Sequence, residues 1–162
     1  MFAVAGTIAL AVDTTRMTVT STAFQNGGLI PDKFACKGAN VNPPLHIEGV
    51  PKNAKSLAIV MDDPDAPRGR FVHWLVWNID PKTTDIAENS VPPNAMQGKN
   101  GFGKLGYGGP CPPKVHRYYL KVLALDTDKI QPSSDQSQVE ATIQGHAIAY
   151  AQLMGRYTTS RE

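Results

Sequence analysis

Hydrophobic and polar positions change their period along this chain, and each change marks an element. Residues 17–24 alternate and carry Val and Thr, as a half-buried strand does. Phe24-Gln25-Asn26-Gly27-Gly28 then reads as a turn. Residues 29–56 are rich in Pro, Gly and Asn, with one short strand predicted at residues 45–47. Residues 56–61 (Ser-Leu-Ala-Ile-Val-Met) form a continuous apolar run of strand length. A second run, richer in aromatics, covers residues 71–79, and a third covers residues 117–126. Runs without alternation predict buried central strands. Residues 80–109 have many Gly, Asn and Pro and almost no period. They are predicted to be loop with at most one helical turn, and so long a loop in a compact domain usually serves function.

The period changes again near the end. Ser134-Asp135-Gln136-Ser137 offers N-cap residues, and Val139, Ile143, Ala147, Ala151 and Met154 recur at helical spacing. With Gly155 as a stop, the spacing predicts a helix over residues 136–154. Repeats, low-complexity tracts and heptads are absent. The pattern as a whole predicts a mainly β domain with one C-terminal helix. Its three long strands should neighbour each other in one sheet, with the site in the loops at their ends.

Composition narrows the function classes. A chain of 162 residues suggests a single domain that can bury a core without staples. Its 14 Gly and 13 Pro agree with many turns. A net charge of +2, with scattered basic residues, argues against a nucleic-acid partner or a charged membrane surface. Phe2 to Val12 is apolar and Ala-rich, with no Lys or Arg before it and too few residues to span a bilayer. Residues 1–16 are therefore expected to be an extension or a degenerate signal, and residues 17–162 the domain. No transmembrane segment is expected. The expected location is cytoplasmic, or exported if residues 1–16 are a signal remnant. Cys36 and Cys111 are too few for a disulfide framework or an all-cysteine zinc site. A single disulfide and two free thiols are both open, and two reduced, half-buried cysteines is the reading favoured.

The candidate chemistry gathers where the apolar runs begin and end. Met61-Asp62-Asp63-Pro64-Asp65-Ala66-Pro67 closes the first run, and its prolines stiffen it. His73 opens the second run. Gly108-Gly109-Pro110-Cys111-Pro112-Pro113 precedes His116-Arg117-Tyr118, which opens the third. If the strands are neighbours, two histidines, a tyrosine and two carboxylates rim one cavity. Imidazolium, phenol and amide N–H groups would donate to an anion there. The carboxylates would fix histidine tautomers or hold a protonated phosphate oxygen. There is no His-x-x-x-His pair, no Gly-x-Ser-x-Gly elbow, no phosphate loop and no dinucleotide fingerprint. A Cys111–His116 dyad lacks an evident third member. His46 and His146 read as structural, Trp74 and Trp77 as core, and Asp62 as facing solvent.

Several of these motifs, in this order and spacing, resemble the phosphatidylethanolamine-binding protein family, which includes Raf kinase inhibitor proteins. They are Phe34-Ala35-Cys36-Lys37-Gly38 with Asn40 and Asn42-Pro43-Pro44-Leu45, then Gly49-Val50-Pro51 and Asp63-Pro64-Asp65-Ala66-Pro67. His73-Trp74-Leu75-Val76-Trp77-Asn78-Ile79, Gly106-Tyr107 with the Gly-Pro loop, and His116-Arg117-Tyr118 leading to Ala124-Leu125-Asp126 complete the match. The likeness is greatest to the bacterial and archaeal branch. It implies a large central antiparallel sheet packed on smaller β elements, and a small anion pocket for phosphate or phosphoryl head groups. The implied walls are Asp63, Asp65, Ala66, Pro67, His73, Gly109, Pro110, Cys111, Pro112, Pro113, His116 and Tyr118. Cys36 and Cys111 both fall in motifs near that pocket. Family members bind phospholipid head groups, some modulate kinases and some inhibit proteases. Two features depart from the family pattern. Only Lys114-Val115 separates Pro113 from His116, and nothing matches the later C-terminal segment of eukaryotic members.

The leading expectation is thus a non-catalytic binding protein for a small anion, without cofactor or metal. Its partners would be a phosphoryl ligand and, through the family, a kinase or protease; a dimer is open. If His73 or His116 must be protonated, affinity should fall above about pH 6.5. The second expectation is a hydrolase with His73 or His116 as general base. The third is an inhibitor of kinases or serine proteases acting through residues 80–104. A cis bond is expected at Ala66–Pro67 or within the loop of residues 110–113.

Overall fold

The computed structural model describes residues 16–160. The extension predicted over residues 1–16 therefore lies outside the described residues, Arg16 apart. The strands are β1 (Thr18–Thr20), β2 (Leu45–Glu48), β3 (Ser56–Asp63), β4 (Phe71–Ile79), β5 (Asp85–Ile86), β6 (Met96–Gln97), β7 (His116–Leu125) and β8 (Ala147–Tyr157). Helix α1 (Gln136–His146) lies between β7 and β8. Five strands form one sheet in the order β6-β4-β3-β7-β8, and β1-β2-β5 form a smaller one. Neighbouring strands in both sheets pair antiparallel. The fold is mainly β, and the three long apolar runs are indeed neighbours.

Strand β3 shows why those runs lack alternation. Leu57, Ile59 and Met61 pack with Val19, Leu45, Ile47 and Ile86 of the small sheet. Ala58 and Val60 pack on the other face with Val139 and Ile143 of α1 and with Ile130. Both faces are covered, so every position pays to be apolar except where a partner waits. Trp74 and Trp77 are core residues, and their indole N–H groups donate to Gln97 Oε1 at 2.8 Å and to the Ile130 carbonyl at 3.2 Å.

The expected helix over residues 136–154 is half helix and half strand. It starts as predicted, with Asp135 as N-cap accepting from the Gln138 N–H. It ends at His146, whose carbonyl accepts from the Asp126 N–H at 3.0 Å. The residues that follow form β8, which pairs with β7 from Ala147 to Tyr157. Its other edge is partly occupied too: Gly27 N–H donates to the Met154 carbonyl, and Arg156 N–H to the Gly28 carbonyl. The spacing misled because a step of four residues satisfies both helical and strand periods. The decisive signal is Ala151, Leu153, Gly155 and Tyr157, alternately buried at period two.

Other departures are smaller. The first strand is three residues long rather than spanning residues 17–24. Residues 80–109 hold no helix; they contribute β5 and β6, one to each sheet. A 3-10 turn at Asp32–Phe34 was not predicted. No cis peptide bond occurs among the described residues, so the cis bond expected at Ala66–Pro67 or in residues 110–113 is absent.

Gly155 is not a helix stop. A Cβ there would lie 2.5 Å from Ile30 Cγ1 and 2.8 Å from Phe24 Cε2. Gly155→Ala should therefore destabilise the protein by about 1–3 kcal/mol in a denaturant titration, the range for overpacking. In a helix the same change would stabilise by about 1 kcal/mol, so the sign of the effect tests the strand.

Candidate functional site

Antiparallel pairing brings the candidate residues together. The end of β3 lies beside the starts of β4 and β7, so Asp63, His73 and His116 meet at one end of the sheet. A β-bulge then sets His73. Met61 pairs with Trp74 and Asp62 with Val72, which leaves His73 as the extra residue. The loop after β6 fastens onto this bulge: Gly101 N–H donates to the Val72 carbonyl at 2.7 Å, and Gly108 N–H to the His73 carbonyl at 2.9 Å.

The His73 ring returns that bond. Its Nδ1–H donates to the Gly108 carbonyl at 2.6 Å. A carbonyl only accepts, so Nδ1 carries the proton and the neutral ring leaves a lone pair on Nε2. Burial holds the His73 pKa below the ordinary histidine value, against the opposing pull of the Gly108 carbonyl and of Asp63. Phe71, Phe102 and Tyr118 pack around the ring, with centroids 4.9, 5.6 and 5.2 Å away.

Asp63 organises the other wall. Its Oδ1 accepts the Asp65 N–H at 2.7 Å, and its Oδ2 accepts Nδ1–H of His116, also at 2.7 Å. Burial first, and then the Asp63 carboxylate, push the Tyr118 phenol well above its ordinary pKa, so it keeps its proton. Asp65 turns instead to Arg117. Its Oδ2 accepts from the Arg117 backbone N–H and from Nε, and its Oδ1 accepts from the guanidinium at 2.8 Å. Those bonds lower the Asp65 pKa to about 2. The pair fastens the loop after β3 to the start of β7.

The adjacent Asp62 does not face solvent as expected. It is buried, and its Oδ2 accepts from Arg70 Nε at 2.6 Å and from Lys121 Nζ at 3.0 Å. Arg70 also forks onto both oxygens of Glu140 in α1. Strand alternation sends Asp62 towards the helix and Asp63 towards the cavity.

The Gly-Pro segment is held from outside the sheet. Cys36 and Cys111 form a disulfide with a Cα–Cα distance of 5.4 Å, correcting the expectation of two reduced thiols. Cys36 N–H donates to the Pro110 carbonyl, and Gly109 N–H to Asn40 Oδ1 at 2.8 Å. A Cβ at Gly109 would lie 2.3 Å from the Phe34 carbonyl oxygen, so only glycine allows this approach. The Pro112 carbonyl accepts from both the N–H and the hydroxyl of Thr159.

These walls enclose a cavity of about 180 Å³. Asp63, Ala66, Pro67, His73, Cys111, Pro112, Pro113, His116 and Tyr118 line it. Asp65, Gly109 and Pro110 lie behind the wall and support it. Phe71 and Phe102 complete the lining and were missed by sequence reasoning. Phe102 sits in the loop of residues 80–109, where the Asn100 side chain accepts its N–H and donates to the Gly106 carbonyl. Among the described residues no group of three His, Cys, Asp or Glu is placed to hold a metal ion, and no helix is long and apolar enough to cross a membrane.

The family model described as "Phosphatidylethanolamine-binding protein" matches residues 20–158. The chain belongs to the phosphatidylethanolamine-binding protein family. Within that family it is 46% identical over 148 residues to a UPF0098 protein of Pyrococcus horikoshii, a span covering 85% of this chain and 74% of that one. A UPF0098 protein of Archaeoglobus fulgidus is also 46% identical, over 86% of this chain and 50% of the relative. Among solved structures, the Escherichia coli protein YbcL, described as a member of the mammalian PEBP family, matches with a TM-score of 0.85 at 34% identity. That match covers 90% of this chain and 99% of YbcL. A PEBP homolog from Chlamydia trachomatis matches with a TM-score of 0.83 at 39% identity, covering 91% and 100% of the two chains.

The histidines of this family member provide an internal contrast. His46 lies on β2, where Nδ1 contacts Asp85 Oδ1 at 2.7 Å and Nε2 contacts Glu48 Oε1 at 2.9 Å. Hydrogen bonding to Asp85 and then to Glu48 raises its pKa. In an NMR pH titration the His46 midpoint should lie above 6.5 and the His73 midpoint below it. The linked stability effects have opposite windows. His46 contributes stability below pH 6.5 that is lost as pH rises through its raised pKa. His73, buried neutral, makes the fold less stable as pH falls from 6.5 towards its lowered pKa. A His73 midpoint at or above 6.5 would overturn its neutral assignment.

Proposed function

We propose that this chain is a non-catalytic binding protein whose cavity takes a small phosphoryl anion, such as a phosphorylated head group. The observation that carries the reading is the His116–Asp63 pair at the cavity wall, a contact of 2.7 Å between largely buried groups. With Nδ1 fixed on Asp63, the imidazolium form of His116 donates from Nε2, a charge-assisted bond in a partly desolvated site. Arg68 and Lys114 are exposed and directly follow the lining residues Pro67 and Pro113 in the chain. Rigid walls favour binding without rearrangement.

The same pair supports a second reading, a hydrolase in which His116, oriented by Asp63, is the general base. The lining holds no Ser or Thr, and Cys111 is tied up in a disulfide, so a water molecule would have to be the nucleophile. A buried, neutral His73 is a weak base and a poor partner for that chemistry.

O-phosphoethanolamine at millimolar concentration should shift the NMR ring signals of His73 and His116 and spare those of His46 and His146. Unchanged signals would remove the pocket assignment. His116→Asn keeps an amide donor for Asp63 and removes Nε2, and should weaken binding by about tenfold or more, as loss of a charge-assisted bond does. Phosphoester turnover by the native chain that His116→Asn abolishes would favour the hydrolase instead.

A further inference from the structure

One wall of the cavity cannot hydrogen-bond itself into place. Pro110-Cys111-Pro112-Pro113 has a single backbone N–H, because proline has none to donate. Such a run joins no strand ladder, and residues 110–115 all lie outside the strands. Cys111, Pro112 and Pro113 nevertheless line the cavity. The run is fixed by what other segments bring to it. Cys36 N–H donates to the Pro110 carbonyl at 3.0 Å, Thr159 donates twice to the Pro112 carbonyl, and the Cys36–Cys111 bond is the covalent tie.

The two sides of that tie differ in rigidity. The Cys36 turn is closed on itself, with Asn40 N–H donating to the Lys33 carbonyl at 2.9 Å and Gly38 N–H to the Ala35 carbonyl at 3.0 Å. The Tyr107 hydroxyl donates to the Phe34 carbonyl at 2.7 Å, and Phe34 and Ala35 are buried in the core. On the other side Cys111, Pro113, Lys114 and Val115 are exposed. Cys36 is exposed as well. Exposed disulfides are the labile ones, because exchange requires a thiolate to reach a sulfur. Neither cysteine belongs to a strand, so cleavage of this bond removes no strand pairing.

We propose that the Cys36–Cys111 disulfide is a redox latch on the cavity, opened by a dithiol reductant. A thiolate of the reductant attacks one sulfur, breaks the S–S bond and forms a mixed disulfide, releasing the other cysteine as a thiolate. The reductant's second thiolate attacks the mixed disulfide and leaves as a disulfide. The dithiol is oxidised by two electrons, and its two protons end on Cys36 and Cys111. Reduction frees residues 110–115 from the rigid Cys36 turn while the five-stranded sheet stays folded. The oxidised chain thus keeps this wall in place and the reduced chain lets it swing away. The latch does not rest on which ligand the cavity takes.

Dithiothreitol added to the native chain tests it. Alkylation read by mass spectrometry should label two cysteines after reduction without denaturant and none before it. Far-UV circular dichroism should not change. Cys36 and Gly109 carry N–H groups that bridge the two segments, and their NMR amide exchange should accelerate at least about tenfold. In the reduced chain both should also exchange faster than Ile59 and Val122 of the paired central strands, which marks local rather than global opening. Cys36→Ser should give the reduced chain's Gly109 rate with or without dithiothreitol. Thiols that appear only in denaturant, or only with loss of the circular dichroism signal, would overturn the latch. So would full reduction that leaves the Cys36 and Gly109 rates unchanged or equal to those of the central strands.

Discussion

Two adjacent carboxylates are buried at the end of the central strand, and desolvating a carboxylate costs several kcal/mol unless partners offset it. Asp62 and Asp63 point to opposite faces of β3 and recruit different partners. On the helix side, Asp62 takes Arg70 and Lys121, and Arg70 carries the link on to Glu140 of α1. On the cavity side, Asp63 takes His116 and the N–H of Asp65. The first set docks the helix against the sheet, and the second shapes the cavity. Neither carboxylate can lose its partners cheaply, because a buried charge left unpaired costs about 3–5 kcal/mol. The geometry of the site is thus held by the same requirement that holds the end of the sheet together.

Around this point the chain builds the cavity from segments far apart in sequence. The bulge at His73 frees two carbonyls, and the loop after β6 takes both. That loop brings Phe102 over the ring and delivers Gly108 to Nδ1. The Cys36–Cys111 disulfide, 75 residues apart in sequence, then ties the Gly-Pro wall to the segment before β2. In chain-entropy terms a closure of that length stabilises the fold by roughly 4 kcal/mol. Thr159 fastens Pro112 from the far end of the chain. A cavity fixed from so many sides has little freedom to change shape.

Much of this was legible in the residues, and the exceptions have physical causes. The apolar runs over residues 56–61, 71–79 and 117–126 revealed the central strands because burial on both faces leaves a continuous signature. The lining residues Asp63, His73 and His116 could be placed together because antiparallel neighbours align one strand's end with the others' starts. Residues 147–157 misled because Ala147 and Ala151 fit a helix and a strand equally well. Phe102 carried no local signal, since its place depends on Asn100 and on a loop that closes only in three dimensions. Asp62 read as solvent-facing because its partners Arg70, Lys121 and Glu140 are spread over residues 70–140. The disulfide was undecidable for the same reason: two cysteines declare no connectivity until the chain brings them within reach.

The largest change concerns what the histidines do. A sequence places two of them in one cavity and suggests two donors for an anion. The backbone settles their roles separately. His116 keeps Nδ1 on the Asp63 carboxylate, which fixes the orientation of its ring in the cavity wall. His73 donates Nδ1–H to a carbonyl and is buried among three aromatic rings, and burial favours its neutral form. Two histidines that look equivalent in the sequence are thus held by different partners, one by a backbone carbonyl and one by a carboxylate.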